Sequence, residues 1–335
     1  MPLDDTFLVT RPNQQNSTGS DQALIIEEFT GMVEGTLARK SALKGWVNVR
    51  PVRGTSTIRM DAVGESTLQV LQPNGATVDS TRNDFSKNTL TIDTVVLARA
   101  TFPILEVFQT NFDKRREVAS EHGKKLGKLW DEGMFIQAIK ASQLAESTFD
   151  RGAAGAKPDG HFGGSLEVLG AAGDATDPAK LYAAIARLLT KMEDKDVDPQ
   201  NDDCILGLKP AQFYTLLQAE QIINGEYITA EGNRVRGMIL NTYGIPVVRS
   251  NNYPGGKNIT GHPLSTALNS NAYNGDFTKA VATVFSPRAL LAGETIPLTS
   301  EIFYDNVTKL HFVDAHMSYG ATPGRAEFSG SIFLP

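Results

Sequence analysis

Five histidines, a single cysteine and one run of carboxylates are the side chains in this 335-residue chain whose types could support catalysis or metal binding. The histidines are His122, His161, His262, His311 and His316. His311 and His316 stand five apart in an alternating strand pattern, which sends them to opposite faces of a sheet and removes them as a metal pair. They read as half-buried sheet residues, and His122, on the apolar stripe of a helix, as a packed core or interface residue. Cys204 is the only cysteine, so an internal disulfide and a cysteine-built zinc site are both out. It opens an apolar strand and reads as a buried, inert thiol. The run EDKDVDPQNDD lacks the alternating ligands, central glycine and terminal glutamate of a calcium loop, and reads as a solvated helix end. GTLARKS and PGGKN miss the spacing of a phosphate-cradling loop, GGSLEVLG lacks its lysine, and no GxSxG elbow occurs. Lys114, Arg115, Arg116, Lys124, Lys125 and Lys128 form the one basic concentration. Glu117, Glu121, Asp131 and Glu132 interleave with it, so it reads as balanced rather than as a DNA footprint. No catalytic, cofactor-binding or metal site emerges, and none is expected.

The elements that would have to carry a site point to a building block instead. The segment from Asp113 places Val118, His122, Leu126, Leu129, Gly133 and Ile136 at three- and four-residue steps, a narrow stripe along one helix face. The rest of its surface is charged, and Gly123, Gly127 and Gly133 each cost about 1 kcal/mol of helix propensity. Such a helix persists only as a beam with something packed along it. Residues 1–22 are polar and read as an extended arm. Asp21 then caps a helical pattern bearing Leu24, Ile25, Phe29, Met32 and Val33. From Trp46 to Ala100 the period becomes two, interrupted by turn-rich stretches, as in a long two-stranded excursion whose tip holds Pro73, Asn74 and Gly75. A two-stranded ribbon is marginal alone, and no local partner is obvious.

After the beam comes the Gly/Ala-rich RGAAGAKPDGHFGG, a hinge or disordered loop. Asp177-Pro178 then predicts a helix start, with Leu181, Ala184, Ile185, Leu188, Leu189 and Met192 on one face. DCILGLK reads as a strand, GIPVVRS and KAVATVFSP as buried strands, and Pro210 opens another helix. Loop 251–276 is long for a compact domain and is expected to be functional or mobile, with four glycines and many asparagines leaving little to fix it. Pro297 to Leu334 alternates again and is expected to form a small antiparallel sheet. The net charge of −6 and pI near 5.5 argue against a protein whose task is gripping nucleic acid. The first twenty-one residues resemble neither a signal peptide nor a transit peptide, so the chain is expected to act in the compartment where it is made.

The order of parts resembles the tailed-phage major capsid protein of the Hong Kong 97 type, an α+β fold, and several stretches look like its short-tailed podovirus branch. VEGTLARKSALKGWVNVRPVRGTSTIRM is similar to the family's approach to the extended loop, and LTIDTVVLARATFPILEVFQTNFDKRREVASEHGKKLG to its exit into a spine helix. NRVRGMILNTYGIPVVRSNNYP resembles a lobe segment, and TSEIFYDNVTKLHFVDAHMSYGATPGRAE the closing sheet, whose hairpin bears Asp305 and Asn306. The resemblance implies an N-terminal arm and helix over 1–45, an extended β-hairpin loop over 46–97, a peripheral domain from 98–165 with 290–335, and an α/β axial domain over 166–289. It also implies pentamers and hexamers closing into an icosahedral virion capsid around double-stranded DNA, assembled in the host bacterial cytoplasm. Partners implied are further copies of the chain, a separately encoded scaffolding protein (the arm here is short), a portal protein and decoration proteins. Intersubunit contacts are expected at Pro73, Asn74, Gly75, Leu126, Leu129, Ile136, Asp305 and Asn306, and loop 251–276 at the capsomer axis.

Some relatives weld their shells by joining a loop lysine to a neighbour's asparagine. Lys87 is the only lysine between Trp46 and Ala100, and Asn306 sits in the region resembling the acceptor. The reaction needs a buried carboxylate and a dry pocket, whereas Lys87 lies among Asp84, Ser86 and Asn88, so a non-covalent shell is expected. Two other readings stay open. One is an encapsulin-type bacterial compartment of the same fold; the other is an α/β small-molecule-binding or catalytic protein centred on 166–289, with loop 251–276 as its lid.

Overall fold

A computed structural model describes residues 41–64, 68, 85–104, 114–149, 160–219 and 241–335. The N-terminal arm, the helix after Asp21 and the tip residues Pro73, Asn74 and Gly75 lie outside the described residues. Two sheets share one long helix. The first sheet has the order β1-β12-β13-β4, with β1 at Val49–Pro51, β4 at Val96–Pro103, β12 at Leu290–Asp305 and β13 at Leu310–Pro323. The second runs β5-β14-β11-β6-β8-β7: Ser165–Val168, Ser329–Phe333, Ala280–Phe285, Ile205–Leu208, Ile245–Arg249 and Asn241–Thr242. β2 (Thr57–Val63) and β3 (Phe85–Thr91) form a separate antiparallel hairpin, registered from Thr57 opposite Thr91 to Val63 opposite Phe85. β9 (Asn258–Ile259) and β10 (Gly275–Asp276) pair within loop 251–276.

The helix α1, Lys114–Gln143, packs against β13 and β12 of the first sheet and against β14, β11 and β5 of the second. That shared packing is what holds a glycine-bearing, charge-rich helix of thirty residues together. The narrow-stripe expectation holds only for its N-terminal half. Beyond Asp131 the helix is enclosed on nearly all sides: Met134, Phe135, Ile136, Ala138, Ile139 and Ala141 are all buried. Phe135 meets Tyr253 and Phe285 edge to face, with centroids 5.3 and 6.0 Å apart. A Cβ on Gly207 of β6 would lie 2.5 Å from the Phe135 ring, so glycine there lets strand and helix approach. Leu126 and Ile136 belong to the core of the subunit itself, which removes them from the expected intersubunit contacts, whereas Leu129 is half-buried. Ile136→Ala should therefore destabilise the subunit by about 2–5 kcal/mol. Leu129→Ala should cost clearly less, and urea unfolding of the two variants checks the order.

α2, Pro178–Glu193, starts as expected: Asp177 Oδ1 accepts hydrogen bonds from the backbone N–H groups of Ala179 and Lys180, at 3.1 and 3.3 Å. Its six apolar positions are buried against β5 and β14. α3, Pro210–Leu216, opens on its proline. Two expectations are corrected. The last strand, β14, does not join the small antiparallel sheet; it inserts between β5 and β11 of the second sheet, parallel to one and antiparallel to the other. Loop 251–276 is likewise fixed by a great deal. Tyr253, Leu264 and Tyr273 are buried, the Gln137 and Lys140 side chains donate to the Ala272 carbonyl, and the Tyr273 hydroxyl both donates to the Ala321 carbonyl and accepts from the Ala321 N–H. A Cβ on Gly255 would lie 2.3 Å from the Ala280 carbonyl oxygen, so this glycine serves close packing rather than mobility.

Candidate assembly interface

The β2–β3 hairpin begins as part of the subunit and ends as free surface. At its base Val52, Leu90, Ile92 and Leu291 form a buried apolar cluster, with Ile58 and Met60 packed on it. The Asn88 amide donates to the Pro323 carbonyl at 2.7 Å. The ribbon thus has a local partner after all, the first sheet. Towards the tip the character reverses. Val63 and Phe85, opposite each other in register, are 50% and 71% exposed, and Leu68 is exposed as well. Among the described residues that apolar surface has no partner, and it is suited to a second copy. The sequence hid this, because the inward face of β3 carries Ser86, Asn88 and Leu90 and leaves Phe85 outside.

The chain approaching the hairpin is pinned to α1 by Asp131, which is fully buried. Its carboxylate accepts from the Ser41 hydroxyl at 2.7 Å, the Ala42 N–H at 2.9 Å, the Leu43 N–H at 3.3 Å and the Asn252 amide at 3.0 Å. One side chain thereby joins the approach to the hairpin, the spine helix and loop 251–276. The sequence counts Asp131 among the acids that balance the basic cluster of α1; the structure buries it and gives it this separate role.

β12 and β13 project as a second hairpin. Arg99 of β4 forms a two-pronged ion pair with the buried Asp314 and lies over Phe303 and Phe312, whose rings stack 4.9 Å apart. This hydrogen-bonded pair holds the guanidinium above its usual range. At the tip Asp305 accepts from the Val307 N–H at 2.9 Å and the Thr308 hydroxyl at 2.6 Å, and these bonds draw its carboxyl below the usual range. Asn306 is exposed and its carbonyl accepts from the Lys309 ammonium at 2.6 Å. Val307 beside it is 89% exposed. Lys87 is exposed on β3, opposite Asp61.

The groups with chemical potential are placed as structural parts. Burial pushes the Cys204 thiol up to about 12. Asp198 caps its own turn, accepting from the N–H groups of Gln200 and Asn201, and Asp202 pairs with Arg288 at 2.7 Å. His311 and His316 are half-buried in β13. Burial lowers His122. His262 is the extreme case: its Nδ1 accepts from the Leu264 N–H, its ring stacks on Tyr273 at 5.2 Å, its Nε2 finds no partner among the described residues, and burial pushes it down to about 4. A folded value below the ordinary 6.5 means that the unfolded chain binds the proton more readily. Stability should therefore fall as pH drops from about 6.5 to about 4, by up to about 3 kcal/mol. Urea midpoints over that window should show the loss, and His262→Gln should flatten it. The packed loop also removes the reading of 251–276 as the lid of an enzyme.

In fold the chain is similar to the capsid structure of the cyanophage P-SCSP1u, with a TM-score of 0.70, 17% identity and 86% of each chain covered. It is equally similar to the mature capsid of bacteriophage PhiM1, with a TM-score of 0.70, 22% identity, and 88% of this chain and 87% of that one covered. A virus-like particle from Pyrococcus furiosus follows at a TM-score of 0.55 and 11% identity, over 92% of this chain and 99% of that one. At such identities the likeness speaks for the fold, which is the Hong Kong 97 type. No curated protein matches the chain. Residues 62–300, well over half the chain, match the Gp10A-like family, described as major capsid protein. The chain belongs to that family: it is a major capsid protein of a tailed phage, a structural component of the icosahedral virion shell and not an enzyme.

Proposed function

We propose that the chain assembles as pentamers and hexamers, with residues 46–97 acting as an extended loop laid over a neighbouring subunit. The carrying observation is the hairpin that is anchored at its base and apolar at its outer end, where Val63 and Phe85 stand exposed. Burying that surface on a neighbour's spine helix, around the half-buried Leu129, supplies the free energy that a ribbon cannot find alone. In this reading 98–165 with 290–335 form the peripheral domain, 166–289 the axial domain, and the Asp305–Asn306 hairpin meets its counterparts between capsomers. The insertion of β14 into the second sheet ties the two domains together and argues for their moving as a connected pair.

The shell encloses double-stranded DNA without gripping it, in keeping with a net charge of −6. It forms in the host bacterial cytoplasm on a separately encoded scaffolding protein, around a portal protein, and decoration proteins add to its outer face. An encapsulin-type compartment shares the fold, but the family match favours the phage shell.

The shell is held without covalent links. Lys87 and Asn306 are both solvent-exposed, the opposite of the dry pocket that amide formation requires. Mature particles boiled in detergent should run as one band at 36.2 kDa. A ladder of multimers abolished by Lys87→Ala would overturn this.

A further inference from the structure

We propose that a cleft at the foot of the β2–β3 hairpin binds a phosphate group on four converging arginines, and that the bound group braces the hairpin against its own subunit. The cleft has a volume of about 490 Å³, and its walls carry Asn48, Arg50, Arg59, Asp61, Arg288 and Arg325. Arg50 stands on β1 and Arg59 on β2, in the chain that enters the hairpin. The other two belong to the body of the subunit. Arg288 lies in the short turn Pro287–Ala289 between β11 and β12, and Arg325 just ahead of the turn Ala326–Phe328 before β14.

Both sides are held in place by the fold. The Arg325 N–H donates to the Arg288 carbonyl at 3.3 Å, and the Gly324 N–H to the Ala289 carbonyl at 2.7 Å. The Arg288 guanidinium lies over the Phe328 ring, 5.7 Å from its centre. Opposite them, β1 pairs parallel with β12 and sets Arg50 beside Gly293, while β2 sets Arg59 beside Thr89 of β3.

The charge balance points to the occupant. Asp61 pairs with Arg59 at 3.3 Å and Asp202 with Arg288 at 2.7 Å. Among the described residues no carboxylate pairs with Arg50 or Arg325. Four guanidinium charges thus face two carboxylates, a surplus of two positive charges in a chain whose net charge is −6. Arginine does not shed its proton, so only an anion can balance this surplus locally. A carboxylate brings one charge. A phosphate group brings about 1.5 to 2 near neutral pH, and its oxygens accept from planar forks arriving from two sides. The Asn48 amide adds a neutral donor. The volume is that of a small-ligand pocket, which favours a compact phosphate over the flank of a DNA duplex. A group held at once from β1, β2 and the two body turns ties the entry of the hairpin down and narrows the directions it can take.

The test uses the unassembled full-length subunit, which needs no shell and so stands apart from the assembly reading. Calorimetric titration with inorganic phosphate should show saturable binding that sodium chloride of equal ionic strength does not reproduce. Bound phosphate should slow amide exchange in 49–63 and leave β6 unchanged. Arg50→Gln and Arg325→Gln should each weaken binding about tenfold, the scale of one charged hydrogen bond. Arg50→Lys keeps the charge without the fork and should fall in between. Arg53→Gln removes an exposed arginine outside the cleft and should bind as the wild type does. Binding matched by chloride, equal weakening by Arg53→Gln, or wild-type affinity in both cleft variants would overturn the site. So would a short DNA duplex that binds where phosphate does not, since the arginines would then serve nucleic acid. Should a variant fail to fold, the wild type decides: saturable binding with slowed exchange in 49–63 supports the site, and binding without that slowing contradicts it.

Discussion

Asp131→Ala should destabilise the subunit by about 3–5 kcal/mol, the scale seen when one partner of a buried charged network is removed. The carboxylate is fully buried and accepts four hydrogen bonds, two of them from backbone N–H groups of Ala42 and Leu43. Alanine leaves those donors without an acceptor in a dry setting, and each unsatisfied group costs about 1–3 kcal/mol. Asp131→Asn keeps the shape but only one accepting oxygen, so its loss should be smaller. The consequence extends beyond stability. Residues 41–43 precede β1, the strand that leads into the hairpin, so a loosened anchor should widen the hairpin's range of directions and lower assembly yield. Thermal unfolding and particle yield, measured on the same variants, should fall together. Asp131→Ala with wild-type stability would show the anchor to be incidental.

Deleting residues 68–82 should leave a soluble, folded subunit and abolish closed shells. The fold should survive because the hairpin base rests on Val52, Leu90, Ile92 and Leu291 and on the Asn88 contact, none of which is removed. Assembly should fail because the reach over a neighbour is lost. Circular dichroism and sedimentation of the deleted protein separate the two effects. Normal particles from the deletion would refute the clamp.

What sequence patterning could and could not reveal follows from where each residue's partner lies. The cap and first-turn proline of α2 were legible because both act locally: Asp177 accepts from N–H groups two and three residues away, and Pro178 presets the backbone of the first turn. The strand β11 was legible as buried because both its faces are covered and its apolar run is nearly continuous, whereas β8, expected to be buried too, is mostly half-buried. The near-complete burial of α1 beyond Asp131 was not legible, since most of its neighbours come from strands more than a hundred residues further on. Asp131 looked like one charge among many because its partners sit at residues 41–43 and 252. Loop 251–276 looked free for the same reason: its asparagines and glycines are turn residues, and nothing local shows that Gln137, Lys140 and Ala321 hold it. The destination of β14 was equally hidden, because a short apolar strand does not state which sheet it joins.

Electron microscopy of the full-length protein produced together with its scaffolding protein tests the central claim most directly. The expected result is closed, uniform icosahedral shells in which the density of each 57–91 hairpin lies on an adjacent subunit's spine helix. A compact monomer that persists at high concentration with the scaffold present, or shells in which every hairpin stays on its own subunit, would contradict it.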